Sequence, residues 1–179
     1  MEKSNKINKG YTARFGEGYK TVGNEKSCFF TGHRDTTDTV MPLLLETIER
    51  HITEYGVTTF YVVHYGAFDH MAGVALTQLK KLYPHITAHL VLAYHPAVRR
   101  IEAPKGLDGS IFMDEQEKSL PKYAIINLNR RMVREVDYLI AFVRYITGGS
   151  YKLMEYAMSQ EKKGRLVITN LADTPDYRN

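Results

Sequence analysis

The chain predicts an α/β domain, a Rossmann-like three-layer arrangement built on a mostly parallel sheet of about five strands. Three observations carry that prediction. β-Branched and aromatic runs recur along the chain, and amphipathic stretches of helical period separate them. Two of the runs also end in glycine-marked turns: Thr31-Gly32-His33-Arg34 follows Cys28-Phe29-Phe30, and Gly148-Gly149-Ser150 follows residues 138–143. A glycine in a strand-to-helix turn lets the backbone approach a ligand closely. The helix behind it offers unpaired N–H groups and the positive end of its dipole to an anion. Two such turns at the carboxyl ends of parallel strands would form one nucleotide-sized crevice, so a phosphate-bearing small molecule is the first expectation.

The elements follow in order. Residues 1–26 are rich in glycine and lysine and read as a loose arm or peripheral hairpin, leaving residues 27–179 as a single domain. Residues 27–31 form the first strand. Asp38 or Thr39 can cap a helix that tolerates Pro42 in its first turn, buries Leu44, Leu45, Ile48 and Ile52, and stops at Gly56. Residues 57–63 make a second strand, and a helix opening at Asp69 turns Ala72, Ala75, Leu76 and Leu79 inward. The third strand, 86–93, alternates poorly, as strands covered on both faces do. Residues 94–121 carry prolines, glycines and scattered charge and read as a long excursion beside the site. A helix over 123–135, a strand over 138–143, a helix over 150–160 and a strand over 166–169 complete the pattern. The right-handed crossover rule then favours the order 3-2-1-4-5, with ligands bound where the order reverses.

Composition narrows the function classes. The chain of 179 residues carries a formal charge of +4, which is mildly basic and far short of the basic stripe of a dedicated DNA binder. That balance argues against a nucleic-acid partner, although Arg99-Arg100 and Arg130-Arg131 are local basic clusters. The polar start lacks the apolar segment of a secretory signal, and no apolar stretch is long enough to span a bilayer, so a cytoplasmic protein without a membrane partner is expected. Cys28 is the only cysteine, excluding an intrachain disulfide and a cysteine-based metal cluster. His85 with His89 and His64 with His70 lack metal-ligand spacing, and the HExxH, GxGxxG and GxxxxGK[ST] patterns are absent, so no metal and no dinucleotide cofactor is expected.

Thr31, Gly32, His33 and Arg34 combine a hydroxyl, a close-approach glycine, an imidazole and a planar cation suited to phosphate. Gly66 and Asp69 lie at the end of the second strand, where Asp69 can cap the next helix and can also meet a ribose hydroxyl. Gly148, Gly149 and Ser150 open the helix that carries Glu155. Asn127, Asn129, Arg130 and Arg131 precede the fourth strand, and adjacent helical positions cannot share a face, so at most one of the two arginines should enter the site.

Taken together, Phe29 through Arg34, the Tyr65-Gly66-Ala67-Phe68-Asp69 turn, Asn129 through Val133 with Asp137 through Ala141, and Gly148-Gly149-Ser150 with Tyr156-Ala157 resemble the SLOG superfamily, nearest its YpsA-like branch. The resemblance runs in order over residues 27–171. It implies a Rossmann-like fold and kinship to the DprA DNA-processing proteins and the LOG phosphoribohydrolases. It also implies a site for a nucleotide or nucleotide-derived signal at Gly32, His33, Arg34, Gly66, Asp69, Gly148, Gly149 and Ser150, in a protein acting alone or as a homodimer. A second expectation is a nucleotide N-glycosidase, with Glu155 supporting an oxocarbenium-like transition state and Arg130 or Arg34 holding phosphate; a third is DprA-like binding of single-stranded DNA. The chain departs from the GGxGTxxE motif of the LOG enzymes at Tyr151 and Lys152, and His64-Tyr65 stands where small residues are usual.

Overall fold

The computed structural model describes residues 25–113 and 120–177, so the arm expected over residues 1–26 lies almost wholly outside the described residues. Six parallel strands form one sheet: β1 (Lys26–Gly32), β2 (Val57–Val62), β3 (Thr87–Leu92), β4 (Gly109–Phe112), β5 (Tyr138–Phe142) and β6 (Val167–Asn170). Their spatial order is β4-β3-β2-β1-β5-β6. The expected five strands and their order are present, and β4 adds a sixth at one edge. Residues 94–121 are therefore not wholly an excursion, because β4 returns to pair with β3 through His89↔Gly109 and Leu92↔Phe112.

Helices cover both faces. α1 (Met41–Thr53) and α2 (Ala67–Leu82) pack together on one, α3 (Ala124–Glu135) and α4 (Gly148–Glu161) on the other. The strands divide their side chains accordingly: Cys28, Phe30, Phe60, Val62, Leu90 and Leu92 join the α1–α2 core, while Phe29, Tyr61, Val91 and Leu139 join the α3–α4 core. Burial on both faces is why these runs read as nearly continuous apolar sequence. Cys28 is fully buried, and burial pushes its thiol far above the ordinary range. Among the described residues no helix is long and apolar enough to cross a membrane.

Two helix starts differ from the sequence expectation. A short 3-10 turn at Asp38–Val40 precedes α1, with neither Asp38 nor Thr39 at its N-cap; Pro42 sits in the first turn of α1, where the missing N–H costs no helical bond. α2 opens at Ala67 with Gly66 as its N-cap, so Asp69 is the third helical residue and not the cap.

β1 occupies the middle of the sheet, with β2 on one side and β5 on the other. The chain builds outward from β1 through β2, β3 and β4, then crosses to β5 and β6. The order reverses at β1, and the carboxyl end of β1 faces the starts of α2 and α4. At that end Gly32 lies against Phe68, a fully buried ring of α2: a Cβ at residue 32 would fall 2.4 Å from Phe68 Cγ and 2.6 Å from its Cβ. The glycine is thus required for packing as well as for any approach of a ligand.

Gly32→Ala is expected to lower stability by about 2–3 kcal/mol through overpacking, shifting Tm downward by roughly 4–12 °C at this size. A thermal melt unchanged within about 1 °C would refute the packing constraint.

Candidate functional site

Three loops converge above the switch point. The end of β1 supplies residues 31–35, the β2–α2 turn supplies Tyr65 and Gly66, and the start of α4 supplies residues 147–150; together they line a cleft of about 430 Å³. All nine ligand-contact candidates, Thr31, Gly32, His33, Arg34, Gly66, Asp69, Gly148, Gly149 and Ser150, line it. The two glycine turns are joined directly, since the Ser150 hydroxyl donates to the Gly32 carbonyl oxygen across 2.6 Å. The first two turns are joined as well: the Ala67 N–H donates to the Arg34 carbonyl at 3.0 Å, and a Cβ on Gly66 would fall 2.9 Å from Arg34 Cα. Gly66 is small because another backbone passes beside it.

His33 has a scaffolding part to play. Its Nε2 accepts the backbone N–H groups of Arg144 at 2.9 Å and Tyr145 at 3.2 Å, and its ring lies against Tyr145. An acceptor serving two donors is unprotonated. Burial and the nearby Arg144 charge lower its pKa further below the ordinary value, outweighing Asp35, so the ring is neutral at neutral pH. His33 thereby ties the end of β1 to the loop after β5.

The two helix starts that meet the cleft differ electrostatically. At α2, the Asp69 carboxylate reaches back to accept the Tyr65 N–H at 3.1 Å, and the Ala67 N–H is taken by Arg34. At α4, Thr147 occupies the N-cap without a side-chain hydrogen bond, and no acidic residue lies in the first turn. Gly148 adopts φ +86°, the left-handed region that favours glycine, and a Cβ on either Gly148 or Gly149 would meet nothing within 4 Å. The positive pole of α4 is therefore open, with two glycines leaving room in front of it. Arg34 is exposed on the same cleft and forms no ion pair among the described residues.

Asp69 is only 7% exposed. Burial pushes its carboxyl up to about 6, against the opposing pull of the Tyr65 and Gly66 N–H groups and Arg34. At neutral pH it is a weakly held anion that a ligand hydroxyl can stabilise by donating to it.

The expected catalytic pair lies elsewhere. Glu155 is exposed on α4, whose Leu153, Met154 and Ala157 turn into the protein, and it does not line the cleft. Arg130 is exposed and lies over the Tyr156 ring at 5.4 Å, and neither it nor the buried Arg131 lines the cleft. Tyr151 and Lys152 are also outside it. α3 instead sends Ile125 and Asn129 to the cleft, one turn apart on one face, and the Asn129 Oδ1 is buried without a hydrogen-bond partner among the described residues. Asn129 was singled out in the sequence with Asn127 but not assigned to the site; its i, i+4 spacing from Ile125 on a helix already assigned was the available signal. Thr147 and Asp35 were also missed; each immediately flanks a recognised turn. Among the described residues no group of three His, Cys, Asp or Glu side chains could hold a metal ion.

No protein-family model matches the chain, and no curated protein sequence matches it.

The folded-state pKa of Asp69 lies above its ordinary 3.8. Between those values the native state binds more protons than the unfolded chain, so this group makes the protein lose stability as pH rises, by roughly 3 kcal/mol in all. Asp69→Asn lacks that term while keeping an acceptor for Tyr65. Urea denaturation at intervals from about pH 4 to 7 should show the variant gaining steadily on the wild type; parallel curves would contradict the assignment.

Proposed function

We propose that this chain binds a phosphorylated small molecule of the nucleotide class, in the manner of a SLOG-type ligand-binding domain, with the phosphate at the start of α4 beside Arg34. One observation carries the reading: the uncapped, acid-free N-terminus of α4 and the exposed Arg34 line the same cleft at the switch point of the sheet. A helix start contributes about half a unit positive charge and directed N–H donors, and arginine adds a full charge with a planar fork that fits phosphate oxygens. The cleft volume falls within the range of about 300–1,000 Å³ typical of small-molecule sites. Position supports the reading too, because open parallel sheets bind ligands outside the carboxyl ends of the strands where the order reverses.

A non-catalytic role is favoured over glycoside cleavage because Glu155, the side chain that would support its transition state, stands outside the cleft with Arg130, and of the expected set only Arg34, the other candidate for holding phosphate, lines it. The group nearest to a proton-transfer function within it is Asp69. Its engagement with the Tyr65 N–H makes it part of the scaffold of the α2 turn.

The test is a thermal-shift panel of nucleoside mono- and diphosphates, ADP-ribose and ribose 5-phosphate. A ligand at about 100 times its Kd should add about 2.7 kcal/mol, raising Tm by roughly 5–10 °C, and should be recovered unconsumed. Arg34→Ala should fold normally and lose most of the shift. A panel in which no phosphorylated compound moves Tm, or in which Arg34→Ala responds like the wild type, would overturn the proposal.

A further inference from the structure

A second cavity of about 240 Å³ opens beside the cleft and shares Val63 and Asp69 with it. One wall is a face of α2, where His70, Gly73, Val74 and Thr77 follow the i, i+3, i+4, i+7 spacing of a single helical stripe. The floor is the end of β2 with Leu90 of β3, and the outer wall is the segment before β4, including Pro104 and Leu107. That segment is held close by Gly106, which has φ +98° and where a Cβ would fall 2.3 Å from Thr77 Cγ2. The close approach packs that segment directly against α2.

His64 belongs to its lining. Both imidazole nitrogens are buried, and among the described residues neither has a hydrogen-bond partner. Buried polar atoms are nearly always paired, so an unpartnered imidazole in the lining of a mostly apolar slot points to a ligand that meets one of its nitrogens. Burial and the charge of Arg99 lower the His64 pKa, keeping the ring in the neutral form that has one donor and one acceptor.

We propose that this slot receives the heteroaromatic base of the ligand whose phosphate lies at the start of α4, with the sugar passing Asp69 at the junction of the two cavities. The inference rests on the nucleotide reading above and specifies its second half. A flat heterocycle suits a slot between a helix face and a loop, and its ring nitrogens and exocyclic groups can supply a donor or an acceptor to a His64 nitrogen. The volume fits this division. Alone the slot is smaller than the usual small-molecule site, whereas joined to the cleft it gives room for base, sugar and phosphate.

Calorimetric titration of the full-length chain separates the two claims. The probes are the four common nucleoside 5′-monophosphates and ribose 5-phosphate, which keeps the phosphate and sugar and lacks the base. At least one monophosphate should bind the wild type about tenfold or more tighter than ribose 5-phosphate. Gly73→Leu places a side chain into the open space beyond residue 73, where a Cβ meets nothing within 4 Å. It should cut that preference to about threefold or less while changing the ribose 5-phosphate affinity by less than about twofold. His64→Phe keeps an aromatic ring and removes both nitrogens, and should weaken the preferred monophosphate alone. Equal wild-type affinities for ribose 5-phosphate and every monophosphate, or preferences untouched by both substitutions, would overturn the base slot and leave the phosphate site standing. Absence of binding by all five probes would remove both.

Discussion

The hydrogen bond from the Ser150 hydroxyl to the Gly32 carbonyl joins residues 118 positions apart and holds together the two turns on which the site depends. It is possible because β1 and β5 are neighbours, paired from Cys28↔Tyr138 to Gly32↔Phe142, so their carboxyl ends finish side by side. Reversal of strand order at β1 then places α2 and α4 on opposite faces with both starts toward the same opening. Phe68 under Gly32, Arg34 against Gly66 and His33 bridging to residues 144 and 145 add three more ties among the same loops. Loops so connected present their backbone groups in a fixed arrangement, which favours binding by limiting what must be ordered when a ligand arrives.

The cleft is polarised along its length. The field of α2 is answered within the protein by Asp69 and the Arg34 carbonyl, whereas α4 is left unanswered at a glycine pair. On the proposed reading this asymmetry orients the ligand, with the anionic end at α4 and Arg34, hydroxyls at Asp69, and the base beyond it toward His64. Asp69 also lines both cavities, so a change in its protonation is felt in both.

Much of this arrangement was legible in the residues. β1, β2, β3, β5 and β6 are apolar runs bounded by turns, and the Rossmann-like order expected for them brings the ends of β1 and β5 together. β4 was not legible, because Gly109-Ser110-Ile111-Phe112 is a short edge strand amid proline, glycine and charge, with no periodicity to count. Asp69 resembled an N-cap by residue type. The cap is Gly66, which has no side chain to announce it, and the aspartate reaches backward from the third helical position. The packing reason for Gly32 could not be read at all, since Phe68 meets it only through tertiary structure. Glu155 was judged by its distance from the helix start, whereas its direction around the helix decides that it faces solvent.

The account depends most on an anion meeting the open start of α4. The direct measurement is a ¹H–¹⁵N NMR titration of the full chain with the phosphorylated compound that gives the greatest thermal shift. The backbone amides of Gly148, Gly149 and Ser150 should move together with that of Arg34, saturating at one affinity, while amides on the far edge of α1 stay still. Saturable shifts confined to other surfaces, with these four amides unmoved, would contradict it.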